Sequence, residues 1–205
     1  MFSLILSAAL GYLVGSVPFA YLVVRRESGT DIRTAGSGNV GTLNSYVVTR
    51  SKRVALEVLL LDVCKGGASV LLTWLLVRGD FPHGAVAGCA AVLGHSYPVW
   101  LAFRGGRGLA PAVGVCLALC WIVVPVWLVL WGGGYLLVRS VNPASAIASL
   151  LVMAGALVIP SGWWSWAAQG GGPEVWLRGS VVVLMAIILT RLLEPVREFF
   201  RRGAS

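Results

Sequence analysis

The chain has 205 residues, of which 58% are hydrophobic and only 12% charged, and its formal net charge is +8. Soluble globular domains carry about 25% charged residues, so this composition excludes an ordinary water-soluble domain. The positive charge does not call for a nucleic-acid partner, because basic loops and attraction to anionic lipid headgroups account for it.

Long apolar blocks follow one another along the chain. Because about 20 apolar residues span a bilayer as a helix, these blocks predict an all-α bundle in the membrane. The first block follows Met1 without a basic segment, so we interpret it as a retained span rather than a cleaved signal. The blocks are residues 2–24, 54–77, 84–103, 109–138, 144–160 and 175–189.

Basic residues predict the orientation of the bundle. They occur between Arg25 and Arg53, around Arg104 and Arg107, at Arg139 and near the C-terminus, whereas residues 79–83 and 161–173 have none. Positive loops face the cytoplasm, so block 109–138 is predicted to cross twice as two short helices, with a reversal near Pro125. The sequence thus predicts one domain, residues 1–205, with seven spans, an outside N-terminus and a cytoplasmic C-terminus. Six spans is the alternative.

Two ionisable residues lie inside the second apolar block. An ionisable side chain in a membrane span is costly, by about 2.5–3.5 kcal/mol on insertion scales. Asp62 and Lys65 are three residues apart and therefore share a helix face. They are either a structural ion pair, with Gly66 and Gly67 allowing another helix to approach, or an anion site in which Lys65 faces a phosphate and Asp62 orients it.

Two glycine-rich, arginine-flanked segments stand on the predicted cytoplasmic face. "GSGNVGTLN" (36–44) lacks the Walker spacing, but its amides and hydroxyls could surround a phosphate. "FRGGRG" (103–108) follows His95 and combines exposed glycine amides with guanidinium groups that match phosphate oxygens. Together with Asp62 and Lys65, these segments predict a site for a phosphate-bearing ligand near the bilayer surface.

Other kinds of site are not predicted. The chain has only two histidines, so no metal cluster is expected, and no cofactor motif, Ser-His-Asp arrangement or HxxxxD motif is readable. The four cysteines lie in apolar blocks and are interpreted as small helix residues. An enzyme with this site would act by positioning and charge stabilisation on an already activated substrate.

Three motifs resemble those of one known family over nearly the whole chain. "GSGNVGTLN" resembles GSGNPGATN, "DVCKGG" resembles D-x-x-KG, and "GHSYPVWLAFRGGRG" resembles GHxxPxxxxFKGGKG. These are the motifs of the bacterial acyl-phosphate-dependent glycerol-3-phosphate acyltransferases, the PlsY family. The resemblance implies seven spans in the bacterial cytoplasmic membrane, no cofactor, and acyl transfer from acyl phosphate to the 1-hydroxyl of glycerol 3-phosphate, giving lysophosphatidic acid. It also implies contact with membrane lipids and an acyl-phosphate-producing partner enzyme.

The resemblance also implies roles for individual residues. The catalytic candidates are Lys65, His95 and Arg107. The acyl-phosphate site is implied to comprise Ser37, Gly38, Asn39, Gly41, Asn44, Asp62, Arg104, Gly105, Gly106 and Gly108. Arg104 and Arg107 stand where the family has lysines, which keeps the charge and adds bidentate geometry.

The acceptor side departs from the family pattern. Val47 replaces an arginine, the serine of the third motif falls on or beside Pro143, and a C-terminal histidine and asparagine become Leu192 and Pro195. The candidates to replace these groups are Arg50, Lys52, Arg53, Asn142, Ser145 and Arg191. Three alternatives therefore stand beside the main hypothesis: an acyl-phosphate-using enzyme with another acceptor or water, a non-catalytic protein that binds acyl phosphate or lipid, and a transporter.

Overall fold

The computed structural model describes residues 1–77, 79–160, 162–165, 167–168 and 171–203, and all regular structure in them is helical. The all-α class predicted from the sequence is therefore confirmed for these residues. Short 3₁₀ turns at Ile32–Thr34 and Val99–Leu101 precede the two glycine-rich loops. The α-helices are α1 (Phe2–Ser16), α2 (Phe19–Ser28), α3 (Thr42–Thr49), α4 (Lys52–Leu76), α5 (Phe81–Ser96), α6 (Leu109–Leu119), α7 (Val123–Val138), α8 (Val141–Val158), α9 (Gly162–Ser165) and α10 (Glu174–Gly203).

Three helical segments in this part of the chain are long and apolar enough to cross a membrane. They are Phe2–Ser28, which contains α1 and α2, Val141–Val158 in α8, and Glu174–Arg201 in α10. Helices α6 and α7 are equally apolar in character but shorter. Length and composition thus agree with a protein that lies in the bilayer.

The long apolar block 109–138 is two helices, as predicted, but the break is not at Pro125. Helix α6 ends at Leu119 and α7 begins at Val123, so residues 120–122 make the turn. Pro125 lies in the first turn of α7, where an amide hydrogen has no helical acceptor to lose. The reversal therefore lies near Pro125, as predicted, but the proline itself is just past the turn. After α7 the chain returns to the end where α6 began, because Arg107 and Asn142 line one cavity.

Close contact between α4 and α6 sets the position of the charged pair on α4. A Cβ atom on Gly66 would overlap the carbonyl oxygen of Pro111, and one on Gly114 would overlap that of Val63. Only glycine lets the two backbones approach so closely, which confirms the predicted role of Gly66. Asp62 lies one turn before this contact and is only 1% exposed.

A small hydrophobic cluster holds the first glycine-rich loop at both ends. Ile32 before the loop and Val40 within it are 0% and 3% exposed, and they pack with Val24 and Val54. The main core lies farther along the bundle, between α5, α6, α8 and α10. The loop therefore packs against α2 and α4 through Ile32 and Val40 and is not surrounded by solvent.

Candidate active site

Three charged or titratable side chains meet inside the bundle. Lys65 Nζ lies 2.8 Å from Asp62 Oδ1, and His95 Nδ1 lies 3.6 Å from the same oxygen. All three residues are buried, with 1–7% exposure. The predicted pairing of Asp62 with Lys65 is present, and α5 brings His95 to it from the last turn before Ser96. Asp62 Oδ2 has no hydrogen-bond partner among the residues that the structure describes.

The Lys65 ammonium points away from the apolar groove that adjoins the charged cluster. It donates to the carbonyl oxygen of Val17 at 2.8 Å and lies 5.5 Å from the centre of the Phe19 ring. That carbonyl stands at the break between α1 and α2, where Pro18 has no amide hydrogen to offer. Asp62 and His95 line this groove and Lys65 does not. This arrangement differs from the expectation that Lys65 faces the phosphate while Asp62 stands behind it.

One side chain shapes the loop 36–44. Asn44 is 2% exposed; its Oδ1 accepts from the Ser37 amide at 2.9 Å, and its Nδ2 lies within 3.0–3.2 Å of the carbonyl oxygens of Ile32, Ala35 and Asn39. The amide of Asn44 is thus fully used inside the loop. The Asn44 side chain therefore holds the loop in its shape, and its place in the wall of the acyl-phosphate site stays a prediction.

The glycines of this loop serve its tight path. Gly36 and Gly38 have φ values of 60° and 70°, a left-handed conformation that other residues adopt at a cost. A Cβ atom on Gly36 would also overlap Asn44 Oδ1. As a result, Asn39 and Gly41 line the same apolar groove as Asp62 and His95, and Ser37 lines a second, more polar cavity.

The loop 104–108 is held by backbone bonds and by an arginine from the last helix. The amides of Gly105 and Gly106 donate to the carbonyls of Ser96 and His95 at 3.2 and 3.1 Å. These amides are therefore not free to bind an anion, contrary to the expectation from the glycine pattern. Arg191 on α10 donates to the carbonyls of Gly106 and Gly105 at 3.1 and 3.0 Å.

The two arginines of the loop 104–108 have different surroundings. Arg104 is exposed, whereas Arg107 is half-buried, and its side chain forms no hydrogen bond or ion pair with the residues that the structure describes. Burial, and to a smaller extent the nearby Arg191 guanidinium, lower the pKa of Arg107 from its ordinary value; the group remains a cation at neutral pH. Arg107 is thus a cation available to a ligand.

An apolar groove of about 700 Å³ begins at the charged cluster. Its head is polar and is formed by Asn39, Gly41, Asp62, His95 and Arg107. The rest of the lining is almost entirely apolar and aromatic. It includes Leu59, Leu60 and Val63 of α4, Leu109, Ala112, Val113 and Cys116 of α6, and Val123, Val124, Trp127, Leu128 and Trp131 of α7.

A second, polar cavity of about 510 Å³ adjoins the head of the groove. Arg107 lines both cavities, so one cation stands between an apolar space and a polar one. The other residues around the polar cavity are Ser37, Ser140, Asn142, Glu194, Pro195, Glu198 and Phe199.

The proposed acceptor-side residues are not gathered in one place. Asn142 lines the polar cavity, while Ser145 lines the groove and donates to the Val141 carbonyl at 2.7 Å. Arg191 is engaged with the loop 104–108, and its guanidinium lies 5.1 Å from the centre of the Tyr97 ring. Arg50 ends α3 in a left-handed conformation and lines neither cavity.

A serine, a histidine and an aspartate are hydrogen-bonded at the opposite end of the bundle. His83 Nδ1 lies 2.6 Å from Asp80 Oδ1, and His83 Nε2 lies 3.0 Å from Ser3 Oγ. This set was not predicted from the sequence, because Ser3 and His83 are far apart in the chain. Ser3 is in the first turn of α1 and Asp80 immediately precedes α5, so the set joins two helix starts.

Two features of the site were not predicted from the sequence: the apolar groove, and the contact of Arg191 with the loop 104–108. Trp127 and Trp131 are four residues apart on α7 and stack with centroids 6.4 Å apart, a spacing that was visible in the sequence. Arg191 was visible as a lone cation at the end of an apolar block. Neither signal identified the neighbour that each residue contacts.

Comparisons with known proteins show which family the chain resembles. A sequence model of the glycerol-3-phosphate acyltransferase family matches residues 5–201. The chain is 36% identical over 198 residues to the glycerol-3-phosphate acyltransferase of Cereibacter sphaeroides, covering 97% of this chain and 87% of that protein. It is 42% identical over 153 residues to that of Mesorhizobium japonicum, covering 74% and 75%.

Solved structures give the same result. The chain resembles the crystal structure of PlsY (YgiH), an integral membrane glycerol 3-phosphate acyltransferase, in its glycerol 3-phosphate form, with a TM-score of 0.77 and 29% identity over 97% of this chain and 92% of that one. The lysophosphatidic acid form of PlsY gives a TM-score of 0.76 at 28% identity, with the same coverage.

The fold and the site together define an integral membrane protein in which a charged head adjoins an apolar groove. The chain belongs to the glycerol-3-phosphate acyltransferase family, which is a family of enzymes. The resemblance seen in the three motifs is confirmed.

Proposed function

We propose that the protein transfers a fatty acyl group from acyl phosphate to the 1-hydroxyl of glycerol 3-phosphate, giving lysophosphatidic acid and phosphate. The position of Arg107 carries this proposal, because the residue lines both the apolar groove and the polar cavity. A lipid donor and a water-soluble acceptor must meet at one point, and these two cavities meet at Arg107.

The donor is assigned to the groove. Its acyl tail lies along α6 and α7, and its phosphate lies at the head, near Asn39, His95 and Arg107. Arg107 supplies positive charge to the phosphate oxygens through charge-assisted hydrogen bonds. Lys65 supports the site indirectly, since it balances the buried Asp62 carboxylate that would otherwise repel the phosphate.

The reaction requires positioning and charge stabilisation. The 1-hydroxyl oxygen attacks the acyl carbonyl carbon, the bond from that carbon to the phosphate oxygen breaks, and an ester forms. The hydroxyl proton leaves with the departing phosphate. Because acyl phosphate is a mixed anhydride and already activated, a cation fixed at the leaving group provides the main assistance.

The acceptor is assigned to the polar cavity. Ser37 and Asn142 offer hydrogen-bonding groups there, and Arg107 offers a cation. Arg50 remains a candidate only for drawing the acceptor in, because it lines neither cavity.

The site fits the cytoplasmic side of a bacterial plasma membrane. We assign seven spans to a single domain of residues 1–205, with α6 and α7 as separate short spans, the N-terminus outside and the C-terminus in the cytoplasm. The basic residues between Arg25 and Arg53, which favour the cytoplasm, are at the same end as the site. An acyl-phosphate-producing enzyme would then supply the donor from that side.

One observation favours a second candidate, an acyl phosphate-dependent transferase with a different acceptor. Glu194 and Glu198 line the polar cavity beside Arg107, and carboxylates disfavour a doubly charged phosphate nearby. Val47 also stands where the family pattern has an arginine. An acceptor that presents hydroxyl or amine groups without a phosphate would suit such a lining.

A two-product assay tests these proposals. Purified protein in lipid vesicles receives palmitoyl phosphate with glycerol 3-phosphate, with glycerol, or with no acceptor, and both phosphate and acylated product are measured. The variant His95→Ala, which removes a side chain at the head of the groove, serves as the matched inactive control.

Lysophosphatidic acid formation that requires glycerol 3-phosphate and is lost in His95→Ala supports the main proposal. Product formed only with glycerol, or phosphate released equally without any acceptor, overturns it in favour of the second candidate. Equal product from His95→Ala would contradict the assigned site.

A further inference from the structure

The groove is a wedge between two short helices. One side of it is lined by α6 from Leu109 to Cys116, and the other by α7 from Val123 to Trp131. Helix α7 packs mainly against α8, and Trp127 Nε1 donates to Ser149 Oγ on that helix at 3.1 Å. Stacking of Trp127 on Trp131 further fixes this wall. The width of the wedge is therefore set by α8, which holds α7 away from α6.

The wedge is closed at its deep end by the turn that joins the two helices. The amide of Cys120 donates to the Cys116 carbonyl at 2.7 Å, and that of Val123 donates to the Cys120 carbonyl at 3.2 Å. Cys116 and Val123 are each 5% exposed. Because residues 120–122 connect α6 directly to α7, the space between these helices cannot extend past them.

The two ends of the groove are thus at a fixed separation. His95 and Asp62, at the head, are anchored by the ion pair with Lys65. From Gly108 to Cys116 the backbone of α6 rises about 12 Å at 1.5 Å per residue. A tail that runs straight along α6 from a phosphate held at the head meets Val123 and Val124 at this depth.

We infer that the α6–α7 turn, with Val124 facing the groove, is the end wall that sets the length of the acyl chain this protein accepts. The inference rests on the proposed function, since it requires the acyl tail of the donor to occupy the groove. Trp127 acts as the side wall, and the hydrogen bond to Ser149 keeps its ring from swinging into the wedge.

The donor tail comes from the bilayer and not from water, so each methylene that fits the groove gains only packing contacts with the lining, and KM is expected to fall modestly with each one. Beyond the wall an added methylene gains no such contacts and has to displace packed side chains, so KM rises and turnover falls. Activity should therefore increase with chain length to an optimum and then drop abruptly.

The experiment measures kcat/KM for saturated acyl phosphates from octanoyl to stearoyl, with glycerol 3-phosphate held constant. Val124→Phe shortens the groove and should move the optimum to shorter chains, with at least a tenfold loss for the longest good substrate. Val124→Ala lengthens the groove and should extend activity to longer chains. Val126→Phe is the matched control, because Val126 is on the same helix, is 46% exposed and does not line the groove.

Opposite shifts in Val124→Phe and Val124→Ala, with the profile of Val126→Phe unchanged, support the inference. If Val124→Phe does not fold, the Val124→Ala profile decides alone. An unchanged optimum in Val124→Ala, or an equal shift in Val126→Phe, overturns the end wall while leaving the proposed function intact. Absence of lysophosphatidic acid with every chain in the unmodified protein would instead overturn the proposed function.

Discussion

The donor and acceptor halves of the proposed site are built in different ways. On the donor side Asp62, Lys65 and His95 are buried, and each lies against a charged partner on its own or another helix. On the acceptor side Glu194 and Glu198 are exposed on α10. Removing the partner of a buried charge strongly lowers the stability of the fold. Substituting an exposed charged residue changes the stability much less.

This difference fits the pattern of motif residues in the chain. The donor motifs keep nearly every group that the family pattern has, while the acceptor positions have changed to apolar residues. Leu192, in place of a histidine, is 1% exposed in the main core, and Pro195 lines the polar cavity without an amide to donate. On the acceptor side, a change at the exposed Glu194 would thus disturb the bundle little, whereas a change at the buried Leu192 or in the donor cluster would disturb its packing.

Removal of the Lys65 charge should have the largest effect. Lys65→Met leaves the Asp62 carboxylate buried without its counter-charge, which costs about 3–5 kcal/mol of stability and should abolish acyl transfer. Thermal unfolding in detergent and the lysophosphatidic acid assay measure the two effects. The double variant Asp62→Asn/Lys65→Met removes both charges and should recover most of the stability but not the activity. A Lys65→Met protein as stable as the unmodified one would contradict the buried pair.

Loss of the Arg107 cation should have the next largest effect on activity. It should weaken the use of both the donor and the acceptor. Removal of one group that stabilises transition-state charge costs about 100- to 1,000-fold in kcat, so Arg107→Ala should lose that much. Because Arg107 lines the groove and the polar cavity, KM should rise for donor and acceptor alike.

Arg104→Ala is the matched control for Arg107→Ala. Arg104 is in the same loop but is exposed and lines neither cavity, so its kinetics should stay within a few-fold of the unmodified protein. Equal losses in the two variants would show that the loop needs positive charge in general and not a cation at the junction of the cavities.

A smaller but still large effect is expected from a single methyl group on Gly106. In Gly106→Ala the new Cβ atom would overlap His95 Nε2 and approach the Val40 carbonyl, so the histidine or the loop must move. A misplacement of about 1 Å at a reacting centre can cost about 100-fold in rate, and kcat should fall accordingly.

Gly132→Ala is the control for Gly106→Ala, because nothing lies within 4 Å of a Cβ atom at Gly132 on α7. That variant should be fully active and slightly more stable, since alanine favours a helix over glycine by about 0.5–1 kcal/mol. Full activity in Gly106→Ala would mean that His95 does not need its present position.

The sequence was sufficient for those features that depend on spacing along one helix. The i, i+3 pairing of Asp62 with Lys65 and the close approach at Gly66 follow from helix geometry, and the all-α class follows from the apolar blocks. The motifs also identified the family. These inferences needed no knowledge of which helices are neighbours.

Features that depend on contacts between distant segments were not predictable. Two hydrogen bonds join segments that are far apart in sequence. Lys65 donates to the Val17 carbonyl, and Arg191 donates to the Gly106 carbonyl in the loop 104–108. Glycine amides were expected to face a ligand, but those of Gly105 and Gly106 are used by the backbone. A local sequence pattern shows which hydrogen-bonding groups a segment contains. It does not show which distant residue or ligand forms a hydrogen bond with them.

The smallest effect is expected from the ion pair between Asp31 and Arg33, just before the loop 36–44. This pair is on the donor side but is partly exposed, like the charged residues of the acceptor side. Asp31 Oδ2 lies 2.7 Å from the Arg33 guanidinium, and this hydrogen-bonded partner lowers the pKa of Asp31 to about 2. A lowered pKa stabilises the fold above the ordinary value near 3.8, and this contribution is lost as the pH falls toward 2. Since the pair is partly exposed, it should amount to less than about 1 kcal/mol.

Asp31→Asn and Arg33→Gln should therefore lower the unfolding temperature slightly at neutral pH, and the difference from the unmodified protein should vanish as the medium is acidified toward pH 2. Melting curves across that range measure it, with acyl transfer at neutral pH nearly unchanged. A loss of activity as large as that of Arg107→Ala would contradict the comparison, because it would show that an exposed ion pair at the start of the loop is as indispensable as a half-buried cation at its centre.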